Sequence, residues 1–212
     1  MFINRTDAGE QLARVLAGYK KQPVVVYALP RGGVVLGVEI ARFLDAPLDL
    51  IVVRKIGHPL HPEYAIGAIA DDGYVVMNRV ETGNLDPAWL KRETAAELKE
   101  AQRRRALFLG GHAPIPVDGK VAIIVDDGLA TGLTMQAAIH QIRQRGPKKI
   151  VIAVPVAASE TIEKLRREVD EIVVLYIPNW FPAIGCFYRD FDQVSDQQVI
   201  GLMNSMNDAL IH

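Results

Sequence analysis

The sequence predicts an α/β fold with a mostly parallel central sheet flanked by helices, a small hood and a β-hairpin insertion. Short apolar runs that are rich in β-branched residues and do not alternate indicate strands buried on both faces. These runs lie at 24–29, 48–53, 121–125, 149–155 and 172–177. Segments with apolar residues at helical spacing separate them, at 34–44, 133–142 and 159–168. Strands that alternate with helices pair in parallel through right-handed crossovers, so the loops that follow them share one edge of the sheet.

Several further elements complete the predicted order. They are a helix behind Thr6 and Asp7, a hairpin with strands at 64–70 and 74–78, a long helix from Asp86 to about Leu109, and a last helix capped by Ser195. The hairpin prediction rests on Asp-Asp-Gly at 71–73, which is typical of a tight turn. The segment 54–62 contains one Gly and two Pro, so we predict a loop there. Three arginines at 103–105 share the long helix with three glutamates, which indicates a solvated face.

Length and composition indicate one domain over 1–212, with a core at about 24–177 and a hood formed by about 178–192 together with the N-terminal segment. A formal net charge of −1 gives no basic surplus, so we expect no nucleic-acid partner. The longest apolar run, 150–158, is far shorter than a membrane span, so we expect no membrane partner. Cys186 is the only cysteine and the N-terminus lacks a secretory pattern, so we expect a cytoplasmic protein.

The segment 121–134 carries the strongest indication of function. Its strand ends at Asp126 and Asp127, and a turn rich in Gly and Thr then leads into a helix. Free N–H groups at a helix N-terminus and the positive end of the helix dipole bind anions. Two carboxylates beside such a site would repel a phosphate unless they bind a neutral part of the same ligand. A sugar phosphate meets both demands, with its hydroxyls on the carboxylates and its phosphate on the loop amides and Thr hydroxyls.

Three other kinds of site do not fit this segment. A nucleoside-triphosphate loop needs a Lys before its Ser or Thr, and no Lys lies between Gly128 and Thr134. A dinucleotide-binding turn needs G-x-G-x-x-G, and Gly128 and Gly132 are too far apart. A receiver domain needs a further Asp at the end of a later strand, whereas Asp170 precedes its apolar run.

The loop after the first predicted strand is a second candidate for ligand binding. Gly32 and Gly33 let the backbone approach a ligand closely, and Arg31 adds donors that suit phosphate oxygens. A plain strand-to-helix turn has the same composition, so this loop gains weight only from its position beside Asp126.

The basic segment 54–62 is the third candidate. A loop with Arg54 and Lys55 at the end of a strand could fold over a diphosphate and exclude water. His58 and His61 have no Cys near them, so phosphate contact or solvation is a better interpretation than zinc binding.

The segment 121–134 closely resembles the ribose-5-phosphate and diphosphate signature of the type I phosphoribosyltransferases. That signature is an apolar strand, two acids, one or two small or apolar residues and then Thr-Gly-x-Thr. The matching positions are Asp126, Asp127, Ala130, Thr131, Gly132 and Thr134. Gly128 departs slightly, because a bulkier apolar residue is commoner there. The family also has a diphosphate loop after its first strand and a mobile loop between its second and third core strands, which 29–33 and 54–62 resemble.

The resemblance implies that a nitrogenous base displaces diphosphate from 5-phosphoribosyl 1-diphosphate with Mg²⁺ as cofactor. It implies catalytic roles for Asp126, Asp127 and Lys55, with Mg²⁺ held mainly by the substrate near the two acids. The residues assigned to the 5-phosphate are Gly128, Leu129, Ala130, Thr131, Gly132 and Thr134, and those assigned to the diphosphate are Arg31, Gly32, Gly33 and Arg54. We also expect a homodimer.

The acceptor is less well defined. The aromatic segment 178–192 offers flat rings for a planar base, and we expect Val156, Trp180 and Phe181 in the base pocket. Packing against the hairpin or a dimer partner explains the same rings equally well. Purine-using relatives often carry a Lys just after the strand that follows the signature, whereas 154–157 has no donor side chain, which argues against a 6-oxopurine. The alternative function is a ligand-sensing regulator that binds phosphoribosyl diphosphate or nucleotides and has weak or no transfer activity.

Overall fold

Two sheets organise the chain in a computed structural model that describes residues 1–209. In chain order, the strands are β1 (Val24–Ala28), β2 (Leu48–Leu50), β3 (Val53–His58), β4 (His61–Ala70), β5 (Val75–Met77), β6 (Val121–Val125), β7 (Lys149–Val156) and β8 (Glu171–Tyr176). The α-helices are α1 (Arg5–Val15), α2 (Gly32–Leu44), α3 (Arg79–Thr82), α4 (Pro87–Leu109), α5 (Leu133–Arg143), α6 (Ser159–Leu165) and α7 (Asp196–Ala209). Short 3₁₀ helices occur at Leu16–Tyr19 and Ile184–Phe187.

The larger sheet is parallel, with the strand order β2-β1-β6-β7-β8, which confirms the predicted fold class. The central strand β6 has all five residues buried, as expected of an apolar run without alternation. Val24 pairs with Val121 and Ala28 with Val125, so β1 and β6 end at the same level. The loops that follow these two strands therefore leave the sheet side by side.

Helices cover both faces of this sheet. Helices α1, α2 and α7 contribute to the apolar cluster on one face, and α5 and α6 to the cluster on the other. Alternate residues of β1 divide between the clusters, with Val24 and Val26 on the first face and Val25 and Tyr27 on the second. Because β1, β6 and β7 bury apolar side chains on both sides, the hydrophobic effect stabilises the sheet from both faces.

The smaller sheet, β3-β4-β5, is antiparallel, and it corrects the predicted loop at 54–62. Most of that segment forms β3 and the start of β4, whose ladder shifts register on either side of Gly57. A Cβ at Gly57 would lie 2.3 Å from the Pro62 carbonyl oxygen, so the close strand approach requires glycine there. Pro62 is tolerated because β5 pairs with β4 only at 67–69, so one side of the Pro62 backbone needs no ladder donor. The predicted strand 48–53 is also wrong in extent, because Val53 already belongs to the second sheet.

Helix α4 begins as predicted, because the Asp86 carboxylate accepts hydrogen bonds from the backbone N–H groups of Ala88 and Trp89. The solvated face predicted for 103–105 is wrong at Arg105. Its guanidinium lies 3.4 Å from both Asp49 and Asp71, two buried carboxylates, and donates to a backbone carbonyl of β2. Arg105 therefore joins α4 and the turn of the antiparallel sheet to the edge of the parallel sheet.

The N-terminal segment pairs with the irregular region after β8. The Phe2 N–H donates to the Phe187 carbonyl at 2.8 Å, and the Phe2 carbonyl accepts from the Arg189 N–H at 2.8 Å. These bonds place Arg5, at the start of α1, beside the loops at the end of β1 and β6. Among the helices within residues 1–209, none combines the length and apolar character that crossing a membrane demands.

Candidate active site

A cavity of about 890 Å³ lies where β1 and β6 end. The antiparallel sheet and α4 form its opposite wall, with Lys55 and Glu97 among the lining residues, and Ile184 closes one side. A cleft at the carboxyl ends of parallel strands is the usual ligand site in open α/β sheets. The three loops predicted to bind a ligand therefore meet at one cavity.

Asp126 and Asp127 lie at the floor of this cavity. One oxygen of Asp126, Oδ1, accepts the backbone N–H of Asp127 at 2.8 Å. One oxygen of Asp127, Oδ2, accepts from Arg5 Nε at 2.8 Å in an ion pair whose two side chains are 11% and 12% exposed. Within the described part of the chain, the other oxygen of each carboxylate accepts no hydrogen bond. The pair therefore presents two adjacent acceptor atoms to a ligand.

Burial raises the pKa of Asp126 well above its usual range, and the neighbouring charge of Asp127 adds to the rise. Burial also raises the pKa of Asp127, while the ion pair with Arg5 opposes this rise. The positive charge of Lys55 opposes both rises from across the cavity. Any further positive charge stabilises the ionised form of these two carboxylates. The floor of the cavity therefore favours a bound cation, or a ligand atom that gains positive charge.

The loop between β6 and α5 lines the cavity beside the acid pair. The lining residues include all six predicted for the 5-phosphate, which are Gly128, Leu129, Ala130, Thr131, Gly132 and Thr134. Gly132 is the N-cap residue of α5 and makes no side-chain cap hydrogen bond, so the first N–H groups of the helix remain available to a ligand. Position 132 requires glycine for two reasons, because its φ is 81° and a Cβ added there would lie 2.6 Å from Thr161 Cγ2.

The loop between β1 and α2 forms the next part of the wall, with Arg31 and Gly32 in the lining and a cis peptide bond between Pro30 and Arg31. Arg31 Nη1 lies 3.4 Å from Asp196 Oδ1 of α7. Gly33 differs from the sequence prediction, because it lies outside the lining and its N–H donates to the Leu29 carbonyl at 3.1 Å. The structure therefore places Arg31 and Gly32, and not Gly33, where a diphosphate could be bound.

The β3–β4 hairpin carries the basic residues of the third predicted loop. Lys55 and Arg54 both line the cavity, but their environments differ. Lys55 is exposed to the cavity, whereas Arg54 Nε pairs with Glu97 of α4 at 2.7 Å. His58 also lines the cavity, and its Nδ1 accepts the Leu60 N–H at 3.2 Å. Lys55 is therefore the hairpin cation that faces the two acids.

The structure does not bring the three predicted base-pocket residues into the cavity. Val156 is fully buried in β7, Trp180 is 78% exposed, and Phe181 packs against the apolar cluster beneath the hood. Ile184 of the same region lines the cavity instead and contacts Gly128. Among residues 178–192, Ile184 alone lines the cavity, and the rings of Phe181 and Phe187, and of Tyr188 and Phe191, pack on each other.

Sequence reasoning also missed one wall of the cavity and the partner of Asp127. Trp89, Glu93 and Glu97 line the wall formed by α4, and their spacing of four residues places them on one helix face. This four-residue spacing is the sequence pattern from which that wall could have been predicted. Arg5 has no signal in the sequence, because 122 residues separate it from Asp127.

Two carboxylates can contribute to a magnesium site but cannot enclose the ion. Mg²⁺ prefers oxygen ligands and is commonly held by one or two carboxylates together with substrate phosphates and water. Residues 1–209 contain no group of three His, Cys, Asp or Glu side chains that could hold a metal ion. The donor set at Asp126 and Asp127 therefore fits an ion whose other ligands come from the substrate.

Comparisons with known proteins agree with this site. Residues 4–185 match the family model described as the phosphoribosyl transferase domain. A protein of Mycobacterium tuberculosis, provisionally named a phosphoribosyl transferase, is 44% identical over 206 residues, which are 96% of this chain and 46% of that protein. This chain therefore spans about half the length of that curated relative. A crystal structure of a protein from Thermus thermophilus matches with a TM-score of 0.81 and 37% identity, covering 97% of this chain and 99% of the other.

The matched range includes the acid pair, the loop before α5, the loop before α2 and the β3–β4 hairpin. The family match, the relative and the solved structure each cover most of the chain. The chain belongs to the phosphoribosyl transferase domain family.

Proposed function

We propose that this protein transfers the phosphoribosyl group of 5-phosphoribosyl 1-diphosphate to a nitrogenous base and releases diphosphate. One observation carries the proposal. Asp126 and Asp127 present two unpaired oxygens, among the described residues, beside an uncapped helix N-terminus, so two adjacent hydroxyls and a phosphate can be bound together. A ribose 5-phosphate has these groups in this order along its length.

Each part of the donor has a counterpart in the cavity. The ribose hydroxyls bind the acids, and the 5-phosphate binds the N–H groups and Thr hydroxyls of 128–134. The diphosphate binds Arg31 and the backbone at Gly32, with Lys55 above it. Arg54 supports the diphosphate part of the cavity indirectly, because its ion pair with Glu97 holds the hairpin against α4.

Charge development explains why the acids lie under the ribose. As the diphosphate leaves, the anomeric carbon and the ring oxygen gain positive charge. Two carboxylates close to the ring favour that charge, and they bind it more strongly in the transition state than in the ground state. The positive charges of Arg31 and Lys55 stabilise the negative charge of the departing diphosphate. The site thus separates the two charges that form in the reaction.

We include Mg²⁺ in the proposal because the acid pair supplies oxygen ligands but too few of them. When bound, the ion would neutralise the oxygens of the leaving diphosphate. Asp126 and Asp127 would hold the ion together with the substrate and would orient the ribose hydroxyls, and Lys55 would place a positive charge on the other side of the diphosphate.

The test is diphosphate release from the sugar donor with Mg²⁺ and a panel of free bases. We expect release with at least one base, and we expect the double variant Asp126→Asn, Asp127→Asn to abolish it. Asp72→Asn is the matched control, because Asp72 is exposed in a turn where the amide oxygen can still accept the Tyr74 N–H. Unchanged release in the double variant would contradict the mechanism.

The second candidate is a ligand-sensing regulator with weak or no transfer. It is favoured by the end of β7 and the residue after it, because residues 154–157 supply no donor side chain and Val154, Val156 and Ala157 are fully buried. The same panel separates the two candidates. Tight donor binding without release for any base would support the sensor, whereas release that depends on one base supports the transferase.

A further inference from the structure

Arg5 is held at the acid pair by three different contacts. Its Nε donates to Asp127 Oδ2 at 2.8 Å, and its Nη1 donates to the Asp192 carbonyl at 2.7 Å. The guanidinium plane also lies over the Phe191 ring, 3.8 Å from the centroid. The side chain is only 11% exposed, so its charge acts on Asp127 with little screening by solvent. The contacts fix both the place and the direction of the Nε–H bond.

The surroundings of this ion pair confine Asp127 on two further sides. The Tyr188 hydroxyl donates to the Asp127 carbonyl at 2.7 Å and fixes its backbone. On the other side, a Cβ at Gly32 would lie 1.9 Å from Asp127 Oδ2 and 2.9 Å from Arg5 Nε. The diphosphate loop therefore packs directly on the ion pair, and glycine at position 32 makes room for it.

We propose that Arg5 is a positioning residue for the donor: by binding Asp127 Oδ2, it turns Oδ1 of the same carboxylate toward the ribose hydroxyls. This inference rests on the proposed function, because it concerns the orientation of an acid that the donor is proposed to bind. Arg5 does not touch the donor. It acts through Asp127, and through Gly32 it also sets the distance between the ribose and diphosphate parts of the cavity.

The contacts of Arg5 call for a guanidinium. Two separate N–H groups serve Asp127 and Asp192 at the same time, while the flat face stacks on Phe191. A lysine ammonium can supply the charge and one hydrogen bond, but it cannot bind both partners and pack on the Phe191 ring at the same time. An alanine leaves a buried carboxylate without its partner, which is then free to rotate away from the ligand.

The test compares Arg5→Ala, Arg5→Lys and the control Arg14→Ala. Arg14 lies on α1 too, but it is 70% exposed and its salt bridge is to Glu10, at 3.6 Å. The probe is 5-phosphoribosyl 1-diphosphate with Mg²⁺, titrated calorimetrically, and thermal unfolding is recorded for each variant. Since a poorly oriented hydrogen bond to a charged group costs roughly 10- to 100-fold in affinity, we expect Arg5→Ala to weaken donor binding by roughly that factor. Arg5→Lys should recover part of the loss, and Arg14→Ala should bind as the wild type does.

Donor binding measured with added guanidinium ion distinguishes a positioning role of Arg5 from a purely structural one. Added to Arg5→Ala below the concentration that unfolds the protein, it should restore donor binding, whereas wild-type binding should not improve. Donor binding in Arg5→Ala equal to that of the wild type would overturn the inference while leaving the proposed function intact. A loss of binding that follows the loss of thermal stability, with no recovery by Lys or guanidinium, would also overturn it. Absence of donor binding in the wild type would instead overturn the proposed function itself.

Discussion

Replacing Gly32 by alanine tests the geometry of the acid pair without touching its chemistry. The new Cβ would meet Asp127 Oδ2 at 1.9 Å and Asp127 Cγ at 2.6 Å. The carboxylate must then move by roughly 1 to 1.5 Å to restore an ordinary contact distance. Because the obstacle is the end of a flexible side chain, the protein should fold, and alanine is a better helix former than glycine at the start of α2. The groups that must move first are therefore the Asp127 carboxylate and the Arg5 guanidinium beside it.

Loss of a well-placed hydrogen bond to a charged group costs about 1.5–3 kcal/mol, which corresponds to roughly 10- to 100-fold in affinity. We expect Gly32→Ala to weaken binding of the Mg²⁺-loaded sugar donor by roughly 10- to 100-fold in isothermal titration calorimetry. Its thermal unfolding should stay close to that of the wild type. Gly18→Ala is the matched control, because nothing within the described part of the chain lies within 4 Å of the Cβ it would add.

The reasoning fails if Gly32→Ala folds normally and binds the donor with wild-type affinity. That result would mean that the Asp127 carboxylate can leave its place beside Arg5 without loss, so its orientation would not matter to the ligand. A loss that appears equally in Gly18→Ala would point instead to a general effect of added side chains on the fold.

Three further predictions concern stability. Gly201→Ala, at an open position inside α7, should raise the free energy of unfolding in urea by about 0.5–1 kcal/mol, since alanine reduces the conformational entropy of the unfolded chain. Arg105→Ala should lower it by about 3 kcal/mol in the same assay, because two buried aspartates lose their partner; a change below about 0.5 kcal/mol would contradict the packing described above. Hydrogen bonds from Arg103 and the next arginine lower the pKa of Glu100 from 4.5 to about 2. The folded state then binds fewer protons than the unfolded state, so this contribution to stability should be lost as the pH falls from 4.5 toward 2, and Glu100→Gln should remove that part of the pH dependence.

Local patterns were sufficient to predict the parallel sheet and the loop that follows β6. The run at 121–125 is apolar on both faces, and this is a property of five consecutive residues. The acids and the small residues after it are also adjacent in sequence, so their joint position at the end of a strand needs no knowledge of distant contacts. Asp86 and Pro87 mark the start of α4 for the same reason.

Distant contacts explain what the sequence could not predict. The segment 54–62 has the composition of a loop, yet it forms a ladder because Gly57 allows the Pro62 backbone to approach. Arg105 lies among exposed charges along the helix, and only the fold brings it to Asp49 and Asp71. The aromatic residues near 180 have the composition of a base pocket, but Phe181 packs on Phe187 and Trp180 is exposed outside the cavity.

The hydrogen bond between Arg5 and the Asp192 carbonyl joins positions that are 187 residues apart. During synthesis, the acid pair is present once β6 has left the ribosome, but the residues that hold Arg5 in place emerge much later. Contacts with such large sequence separation form late, because the entropy cost of closing the intervening loop must be met first. A nascent chain that has not reached residue 192 would therefore contain the acid pair and the loop after β6 without Arg5 fixed beside them. Translation must pass residue 192 before Arg5 can make all three of its contacts.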